Sequence, residues 1–283
     1  MMNCSDSNID HKTVEGFGDE WSAFDQEALP RAEQLRVFNE YFSIFPFDRL
    51  SDSAEGFDLG CGTGRWAHLM AQRVRLLHCI DPAPKALAVA RKRLGNLENV
   101  QFHQAGAADI PLSDASQDFG YSLGVLHHIP DPEAAMASCV RKLKTGAPFL
   151  VYIYYALENR AGWYRAIWKA SDTLRRGISR MPFSLRKSVT TIIAAGIYFP
   201  LARFARAAEL AGADVRQFPL MIYRKSSFYT MRTDALDRFG TRLERRFSRV
   251  ELQAMMERCG LTDIRFREAM PHWVACGIKA ASQ

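Results

Sequence analysis

Three glycines within five residues constrain this chain more than any other feature of its sequence. Gly60, Gly62 and Gly64 lie in the stretch DLGCGTGRW, where a short apolar strand is followed by a helix. Glycine at this density costs backbone entropy, so it indicates a turn that another group approaches closely. A strand, a glycine-rich turn and a helix in this order are typical of a nucleotide-binding turn.

The spacing of these glycines excludes two common kinds of nucleotide site. A dinucleotide fingerprint, G-x-G-x-x-G, has glycine at its sixth position, where this sequence has Arg65. The phosphate loop G-x-x-x-x-G-K-[ST] does not occur in the sequence. Asp58 precedes the first glycine by two residues. Its carboxylate would repel a bare pyrophosphate and suits a ligand that carries a nearby cation.

A second acid indicates what the turn binds. Asp81 ends the strand LLHCID, 21 residues after Gly60. A carboxylate at this place can bind both ribose hydroxyls of a nucleoside. Because Asp81-Pro82 also precedes a helix, a capping role is the alternative. The glycine turn at a matching distance favours the ribose.

The wider pattern predicts an α/β fold with a parallel sheet. From residue 56 to residue 155, short apolar strands alternate with helices, which is typical of a sheet covered by helices on both faces. Farther on, the stretch SRVELQAMMERCG predicts a helix capped by Ser248 and ended by Gly260. Two strands follow this helix closely enough to pair.

We expect four parts in the chain. Residues 1–49 form an N-terminal lead, disordered to about residue 16, and a covering helix over residues 30–45. Residues 50–155 form the cofactor-binding core, residues 156–247 an insert, and residues 248–283 the C-terminal part of the core.

Four stretches in order resemble consecutive motifs of the class I S-adenosylmethionine-dependent methyltransferases: DLGCGTGRW, IDPAPKALAVARKRL, ADIPLSDASQDFGYSLGVLHHIPDP and LKTGAPFLVYIYY. They most resemble the branch that includes quinone-biosynthesis and small-molecule methyltransferases. The resemblance covers about residues 50–155 and 248–280. It implies a Rossmann-like sheet of seven strands with an antiparallel last strand, and S-adenosyl-L-methionine as the cofactor.

The resemblance also implies roles for individual residues. The turn beneath the methionine and ribose parts of the cofactor would be formed by Gly60, Cys61, Gly62 and Gly64. Asp58 would hold the cofactor's ammonium group, directly or through water. Asp81 would bind the ribose hydroxyls, with Pro82 against the adenine.

At the adenine end the sequence departs from the family pattern. The family usually has an acid and then a small residue after the third strand, where this chain has Gly106 and Ala107. Asp109 could replace the missing acid, or it could cap a turn. Leu123, at the end of the fourth strand, occupies the position that contacts the cofactor through its backbone.

The reaction itself demands few side chains. Methyl transfer from a sulfonium is an in-line displacement, so alignment supplies much of the rate. A general base is needed only when the acceptor keeps its proton. His127 and His128 follow the fourth strand, and one of them should face the methyl group. His127 is the candidate general base, and structural packing is the alternative role for it. We expect a small molecule methylated at oxygen as the acceptor.

The insert is strongly basic. Residues 156–247 carry 18 Lys or Arg against 7 Asp or Glu, whereas the rest of the chain carries 19 against 24. An apolar stripe from Trp163 to Ile178 recurs at helical spacing. This helix either covers the core as a lid with a solvated outer face or lies on an anionic membrane. The apolar run Val189–Phe199 is too short to cross a bilayer, and we expect it to end at Pro200.

Tyr223, Tyr229 and Arg232 are the candidate substrate-binding residues of the insert, since they would suit a polar or anionic acceptor. A surface loop with local salt bridges is the alternative. We expect a small-molecule or lipid-linked acceptor with peripheral membrane contact. Nucleic acid ranks below these partners because the basic and aromatic residues come without an RNA-binding module.

Cysteine usage bounds the location and the chemistry. The six cysteines are scattered without metal-ligand spacing, and the N-terminus has no apolar signal-peptide core, so we expect a cytoplasmic protein without a metal. Two rival classes are a nicotinamide oxidoreductase, against which Arg65 argues, and a catalytically silent cofactor-binding protein, which the missing adenine acid favours.

Overall fold

The computed structural model describes residues 8–158, 160–268 and 273–281. The chain forms two compact units. Unit 1 comprises Met1–Ser22, Leu35–Ala156 and Leu243–Gln283, and unit 2 comprises Ala23–Gln34 and Leu157–Arg242.

The sheet of unit 1 has seven strands in the order β3-β2-β1-β4-β5-β7-β6. In chain order the strands are β1 Glu55–Leu59, β2 Leu76–Ile80, β3 Val100–His103, β4 Phe119–Leu123, β5 Pro148–Ile153, β6 Leu261–Phe266 and β7 Trp273–Lys279. Strands β1 to β5 pair in parallel, whereas β7 is antiparallel to both β5 and β6. The predicted α/β sheet of seven strands with an antiparallel last strand is therefore confirmed. Its order reverses between β1 and β4, where open α/β sheets bind ligands.

The helices, in chain order, are α1 His11–Ala23, α2 Arg31–Tyr41, α3 Ala67–Met70, α4 Pro84–Leu94, α5 Pro132–Lys142, α6 Gly162–Ile178, α7 Phe183–Ile193, α8 Phe199–Leu210, α9 Phe228–Gly240 and α10 Arg249–Arg258. Two apolar cores hold unit 1 together, one containing Phe42 and Tyr121 and the other Phe57 and Phe149. Helix α10 begins with the predicted Ser248 cap, which forms a capping box with Glu251.

The N-terminal part of unit 1 is more ordered than its sequence indicates. The prediction of a disordered lead to residue 16 is wrong from Asn8 onward, because α1 begins at His11. Asp10 stabilises this start, since its carboxylate accepts the Thr13 backbone N–H at 2.7 Å. The polar composition of this segment gave no sign of the short capped helix α1.

The structure divides the chain differently from the sequence at two places. Residues 243–247 belong to unit 1, where Arg245 N donates to the His127 carbonyl and Phe247 N donates to the Tyr154 carbonyl. Residues 23–34 belong to unit 2, where the Tyr229 hydroxyl accepts the Gln26 backbone N–H at 2.9 Å. These contacts join segments that lie far apart in the sequence.

Unit 2 is a helical unit arranged around α9, whose residues Met231, Ala235 and Phe239 are buried. Helices α7 and α8 run on through a π-helical turn as one helix, Phe183–Leu210. The prediction that the apolar run ends at Pro200 is therefore wrong. The turn precedes Pro200, which lacks the N–H that a regular helix would use there. By length and composition alone, this 28-residue helix could cross a membrane.

Candidate active site

The glycine turn follows β1 in the left-handed conformation that glycine adopts most easily. Gly60, Gly62 and Gly64 have φ values of +76°, +53° and +70°. Two of them also make room for neighbouring side chains. A Cβ atom at Gly60 would lie 2.2 Å from Val125, and one at Gly64 would lie 2.5 Å from Leu94. Part of the glycine requirement is therefore internal packing of the turn.

A cavity, partly open to solvent, lies at the carboxyl ends of β1, β2 and β4. Eight of the predicted cofactor-binding residues line it: Gly60, Cys61, Gly62, Asp81, Pro82, Gly106, Ala107 and Leu123. Three predicted residues are not among its lining residues: Asp58, Gly64 and Asp109. A cavity of mixed polarity at this place in the sheet suits a small organic ligand.

Asp81 is held at the wall of this cavity by the backbone. Its Oδ2 accepts the Gly62 N–H at 2.9 Å, and its Oδ1 accepts the Ala83 N–H at 2.8 Å. Burial raises the pKa of Asp81 to about 6, and these two hydrogen bonds oppose the rise. The carboxylate is therefore charged at neutral pH, and each oxygen keeps a lone pair for a ligand hydroxyl. The residue before α4 is Ala83, so the capping alternative does not describe Asp81.

Asp58 is not among the residues that line the cavity, and its role toward the ligand's ammonium group, directly or through water, stays a prediction. Side chains alternate along a strand, and Asp58 shares its register with Tyr121 of β4. Burial raises the pKa of Asp58 to about 8, the nearby Tyr121 hydroxyl opposes that rise, and the charge of Asp81 adds to it. Asp58 is thus mostly protonated at pH 7, beneath the turn.

The residues before α1 close the end of the cavity where the family acid is missing. Asn8 makes two hydrogen bonds to the backbone of Asp131, donating from Nδ2 at 2.9 Å and accepting at Oδ1 at 2.7 Å. Ile9 packs so closely on Gly106 that a Cβ atom there would lie 2.8 Å from its Cδ1. The absence of a side chain at Gly106 therefore leaves the space that Ile9 occupies. The exposed Asp109 only continues a turn, through its N–H to the Gly106 carbonyl.

Helix α1 contributes a further wall of the cavity. Thr13, Phe17 and Trp21 line the cavity from this helix. The Trp21 indole lies beside Gly62, with Nε1 3.3 Å from the position of a Cβ atom there. The Thr13 hydroxyl is buried and has no hydrogen-bond partner among the described residues. It is free to bond a polar edge of a ligand.

The two histidines after β4 have different surroundings. His128 lines the cavity, packs against Phe17 at 5.0 Å, and places Nδ1 2.7 Å from the Leu243 carbonyl oxygen. A carbonyl only accepts, so Nδ1 carries the proton and Nε2 is the acceptor of the neutral ring. His127 is completely buried, stacks on Tyr154 at 4.0 Å, and is not among the lining residues. The cavity is thus lined by His128 and not by His127, the candidate base.

The three residues predicted to bind substrate belong to unit 2 and make contacts within it. Tyr223 packs on Tyr198 with ring centroids 5.3 Å apart. Tyr229 meets the edge of Phe24, and the Arg232 guanidinium lies 4.8 Å from the centre of the same ring. The two contacts of Phe24 attach residues 23–34 to α9. A role of Tyr223, Tyr229 and Arg232 toward substrate stays a prediction.

Comparison with known proteins identifies the core. The sequence of residues 57–151 matches the family described as methyltransferase domain. Residues 57–151 are a methyltransferase domain. The domain belongs to the S-adenosylmethionine-dependent methyltransferases, whose cofactor is S-adenosyl-L-methionine.

Similar proteins include the ubiquinone biosynthesis O-methyltransferases of Aromatoleum aromaticum and Pseudomonas fluorescens. The first is 30% identical over 105 residues, which cover 36% of this chain and 43% of that protein. The second is 32% identical over 160 residues, which cover 54% of this chain and 66% of that protein. This chain therefore spans only part of the length of the relatives that it matches.

Solved structures share the fold of the methyltransferase domain. An S-adenosylmethionine-dependent methyltransferase from Methanosarcina mazei has a TM-score of 0.52 at 16% identity, over 84% of this chain and 99% of that one. A chain of the Haloferax volcanii complex of the Trm112 methyltransferase activator has a TM-score of 0.55 at 13% identity, over 96% of this chain and 99% of that one. At such identities the likeness concerns the fold alone.

The residues that line the cavity fit this cofactor. Asp81 carries a charged carboxylate, which suits ribose hydroxyls, and the aromatic rings of Phe17, Trp21 and Trp66 line the same cavity, where they suit a sulfonium cation. Arg65 also lines the cavity and stacks on Trp66 at 4.2 Å. The sequence reasoning used Arg65 only to exclude a dinucleotide. Its position directly after the glycine turn is the signal that could have placed it at the cavity.

Proposed function

We propose that this protein transfers a methyl group from S-adenosylmethionine to an oxygen of a small-molecule acceptor. The cavity of unit 1 carries the proposal, because a fixed carboxylate, a glycine turn and aromatic walls meet at the reversal point of the sheet. The cofactor supplies an activated methyl group. The names of the relatives, ubiquinone biosynthesis O-methyltransferases, support oxygen as the acceptor atom.

Within this proposal the residues that line the cavity bind different parts of the cofactor. Asp81 binds the ribose hydroxyls through its free lone pairs. Arg65 pairs with the carboxylate of the cofactor's amino-acid part, since it is the cation that directly follows the glycine turn and lines the cavity. The adenine lies against Pro82 and Ala107, on the side closed by Ile9. Asp58 stays neutral and supports the turn from below.

We assign the general base to His128 instead of His127. A hydroxyl acceptor must lose its proton during methyl transfer. His128 lines the cavity, and its Nδ1 lies 2.7 Å from the Leu243 carbonyl oxygen, which fixes the orientation of the ring. Helix α1 would help to exclude water from the reacting groups.

Calorimetry with S-adenosylhomocysteine tests the binding half of the proposal. We expect one site in the wild-type protein and an affinity at least about 10-fold lower in Asp81→Ala, the loss of one or two charge-assisted hydrogen bonds. Absence of binding in the wild type would contradict the proposed cofactor site. Binding without any transfer in the next experiment would favour the silent cofactor-binding alternative.

Transfer of an isotope-labelled methyl group into a cell extract tests the catalytic half. We expect a labelled small molecule whose mass spectrum places the methyl group on oxygen. His128→Gln should retain the affinity for S-adenosylhomocysteine within about 3-fold and lower kcat about 100-fold. A larger loss of kcat in His127→Gln, at equal cofactor affinity, would return the base to His127. Partition of the label between organic and aqueous phases separates a lipid-linked acceptor from a polar one.

A further inference from the structure

Exposed large apolar side chains are concentrated in unit 2. Among the described residues, eleven such side chains are exposed, and ten of them belong to unit 2, although this unit holds about a third of the chain. The exception is Val250 in unit 1. Scattered exposed apolar residues are normal for a soluble protein, but a concentration in one unit indicates an interaction surface.

Helix α6 shows that this exposure follows a pattern. Its outer side presents Trp163, Ile167 and Leu174, which are 50%, 56% and 62% exposed. Its inner side buries Asp172 and Arg175, which form an ion pair at 2.7 Å. An amphipathic helix of a soluble protein normally turns its apolar side inward and its charged side outward. In α6 three large apolar side chains are exposed and an ion pair is buried, contrary to this rule, whereas Ile178 is buried as usual.

A row of positive charge accompanies the apolar row. Arg165, Lys169 and Arg176 of α6, and Arg180 just beyond its end, are exposed and recur at intervals of four, seven and four residues. Unit 2 as a whole carries 17 Lys or Arg against 9 Asp or Glu. Tryptophan and aliphatic residues beside basic residues are the composition of helices that lie on anionic membranes.

The helix Phe183–Leu210 adds a second apolar surface. Ile192 and Phe204 are 71% and 61% exposed on it. The opposite side is held by protein: Tyr198 is buried in the core around α9, and Arg186 donates to the Gly240 carbonyl at 3.3 Å. A helix bound to protein along one side can lie in a membrane interface, but it is not free to be surrounded by lipid.

We propose that unit 2 docks on the surface of an anionic phospholipid bilayer, with α6 and the helix Phe183–Leu210 lying in the headgroup region. The apolar rows enter the acyl boundary while the basic row contacts lipid phosphates. The charge of unit 2 selects an anionic bilayer over a second copy of the same basic chain, which would be repelled. This proposal does not depend on the proposed methyl transfer.

Co-sedimentation of the full-length protein with vesicles tests the proposal. The probes are vesicles of phosphatidylcholine alone and of phosphatidylcholine mixed with phosphatidylglycerol. We expect binding to the mixed vesicles that weakens as salt is added, because salt screens the basic row. The triple variant Trp163→Ser, Ile167→Ser and Leu174→Ser should bind at least about 10-fold more weakly, since it removes buried apolar area at the interface.

Two controls keep this result interpretable. Val250→Ser removes an even more exposed apolar side chain from unit 1, 78% exposed, and should leave vesicle binding unchanged. An unchanged affinity of the triple variant for S-adenosylhomocysteine shows that unit 1 is folded, and it separates failure of docking from failure of the proposed function. An unchanged helical content by circular dichroism shows that the helices of unit 2 are still formed.

Four outcomes would overturn the proposal. The first is equal vesicle binding by the wild type and the triple variant. The second is equal binding to neutral and anionic vesicles. The third is a wild-type dimer, seen by light scattering and lost in the triple variant, which would make the apolar row a contact between copies. The fourth is resistance of the bound protein to alkaline carbonate extraction, which would mean a helix that spans the bilayer.

Discussion

The two carboxyl groups beneath the glycine turn differ in what surrounds them. Asp81 has backbone N–H donors on both oxygens, whereas Asp58 has one oxygen, Oδ2, without a hydrogen-bond partner among the described residues. The pKa of Asp58 accordingly rises to about 8 and that of Asp81 to about 6. From sequence, both positions read as charged ligand-binding acids, because spacing along a strand does not reveal the loss of solvation.

The raised pKa of Asp58 predicts how stability depends on pH. Between about pH 4 and pH 8, folded Asp58 holds a proton that the unfolded chain releases, so the free energy of unfolding falls as pH rises through this window. Asp58→Asn should remove that fall and make the protein more stable than the wild type at pH 8.5, by about 1 kcal/mol or more. At pH 4 the two should differ little. Urea unfolding at both pH values measures this.

Asp114→Asn is the matched control for this prediction. Asp114 is exposed and its pKa is lowered by the hydrogen bond from Lys142. Its contribution to stability is present above the unfolded pKa and is lost as pH falls, so its replacement should have the opposite sign and a smaller effect. If Asp58→Asn behaved like this control, the carboxyl of Asp58 would be charged in the folded protein.

At the scale of elements, the sequence predicted those strands and helices that short local patterns determine. Strands β1 to β5 and helices α4, α5 and α10 follow from apolar runs, helical periodicity and capping residues. Helix α1 was missed because Gly16 and Gly18 interrupt it and polar residues surround its apolar side chains. Val14, Phe17 and Trp21, spaced by three and four residues after the Asp10 cap, were the signal that could have found it. Packing over the cavity stabilises such a short helix.

The segment before α1 predicts the effect of restoring the family acid. In Gly106→Asp the new side chain would displace Ile9, because its Cβ atom would lie 2.8 Å from the isoleucine Cδ1. We expect this variant to loosen residues 8–22 and to bind S-adenosylhomocysteine more weakly, despite the acid. Ile9→Ala removes the clash, so the double variant should recover most of the affinity. Hydrogen exchange of residues 8–22 and calorimetry measure the two effects.

Ile9→Ala alone is the control, since it creates space without the acid. If Gly106→Asp bound more tightly than the wild type while residues 8–22 stayed protected, the segment would tolerate the acid, and the packing of Ile9 would not explain the glycine.

At the scale of the whole molecule, the sequence separated two parts by composition, and the compact units differ from these parts at two places. Basic charge marked the insert, yet backbone hydrogen bonds assign residues 23–34 to unit 2 and residues 243–247 to unit 1. Such pairings join positions up to about 200 residues apart, and no local pattern encodes them. The exposed apolar row of α6 was equally unpredictable, because periodicity identifies an apolar side without saying what covers it.

The division into units predicts where ligand binding is felt. All residues that line the cavity belong to unit 1. At 100 times Kd, S-adenosylhomocysteine should stabilise the state that binds it by about 2.7 kcal/mol. We therefore expect slower hydrogen exchange in α1, the glycine turn and residues 123–130, and little change in α6 to α9. Equal protection of both units would mean that they unfold as one cooperative body, and protection confined to unit 2 would contradict the cofactor site itself.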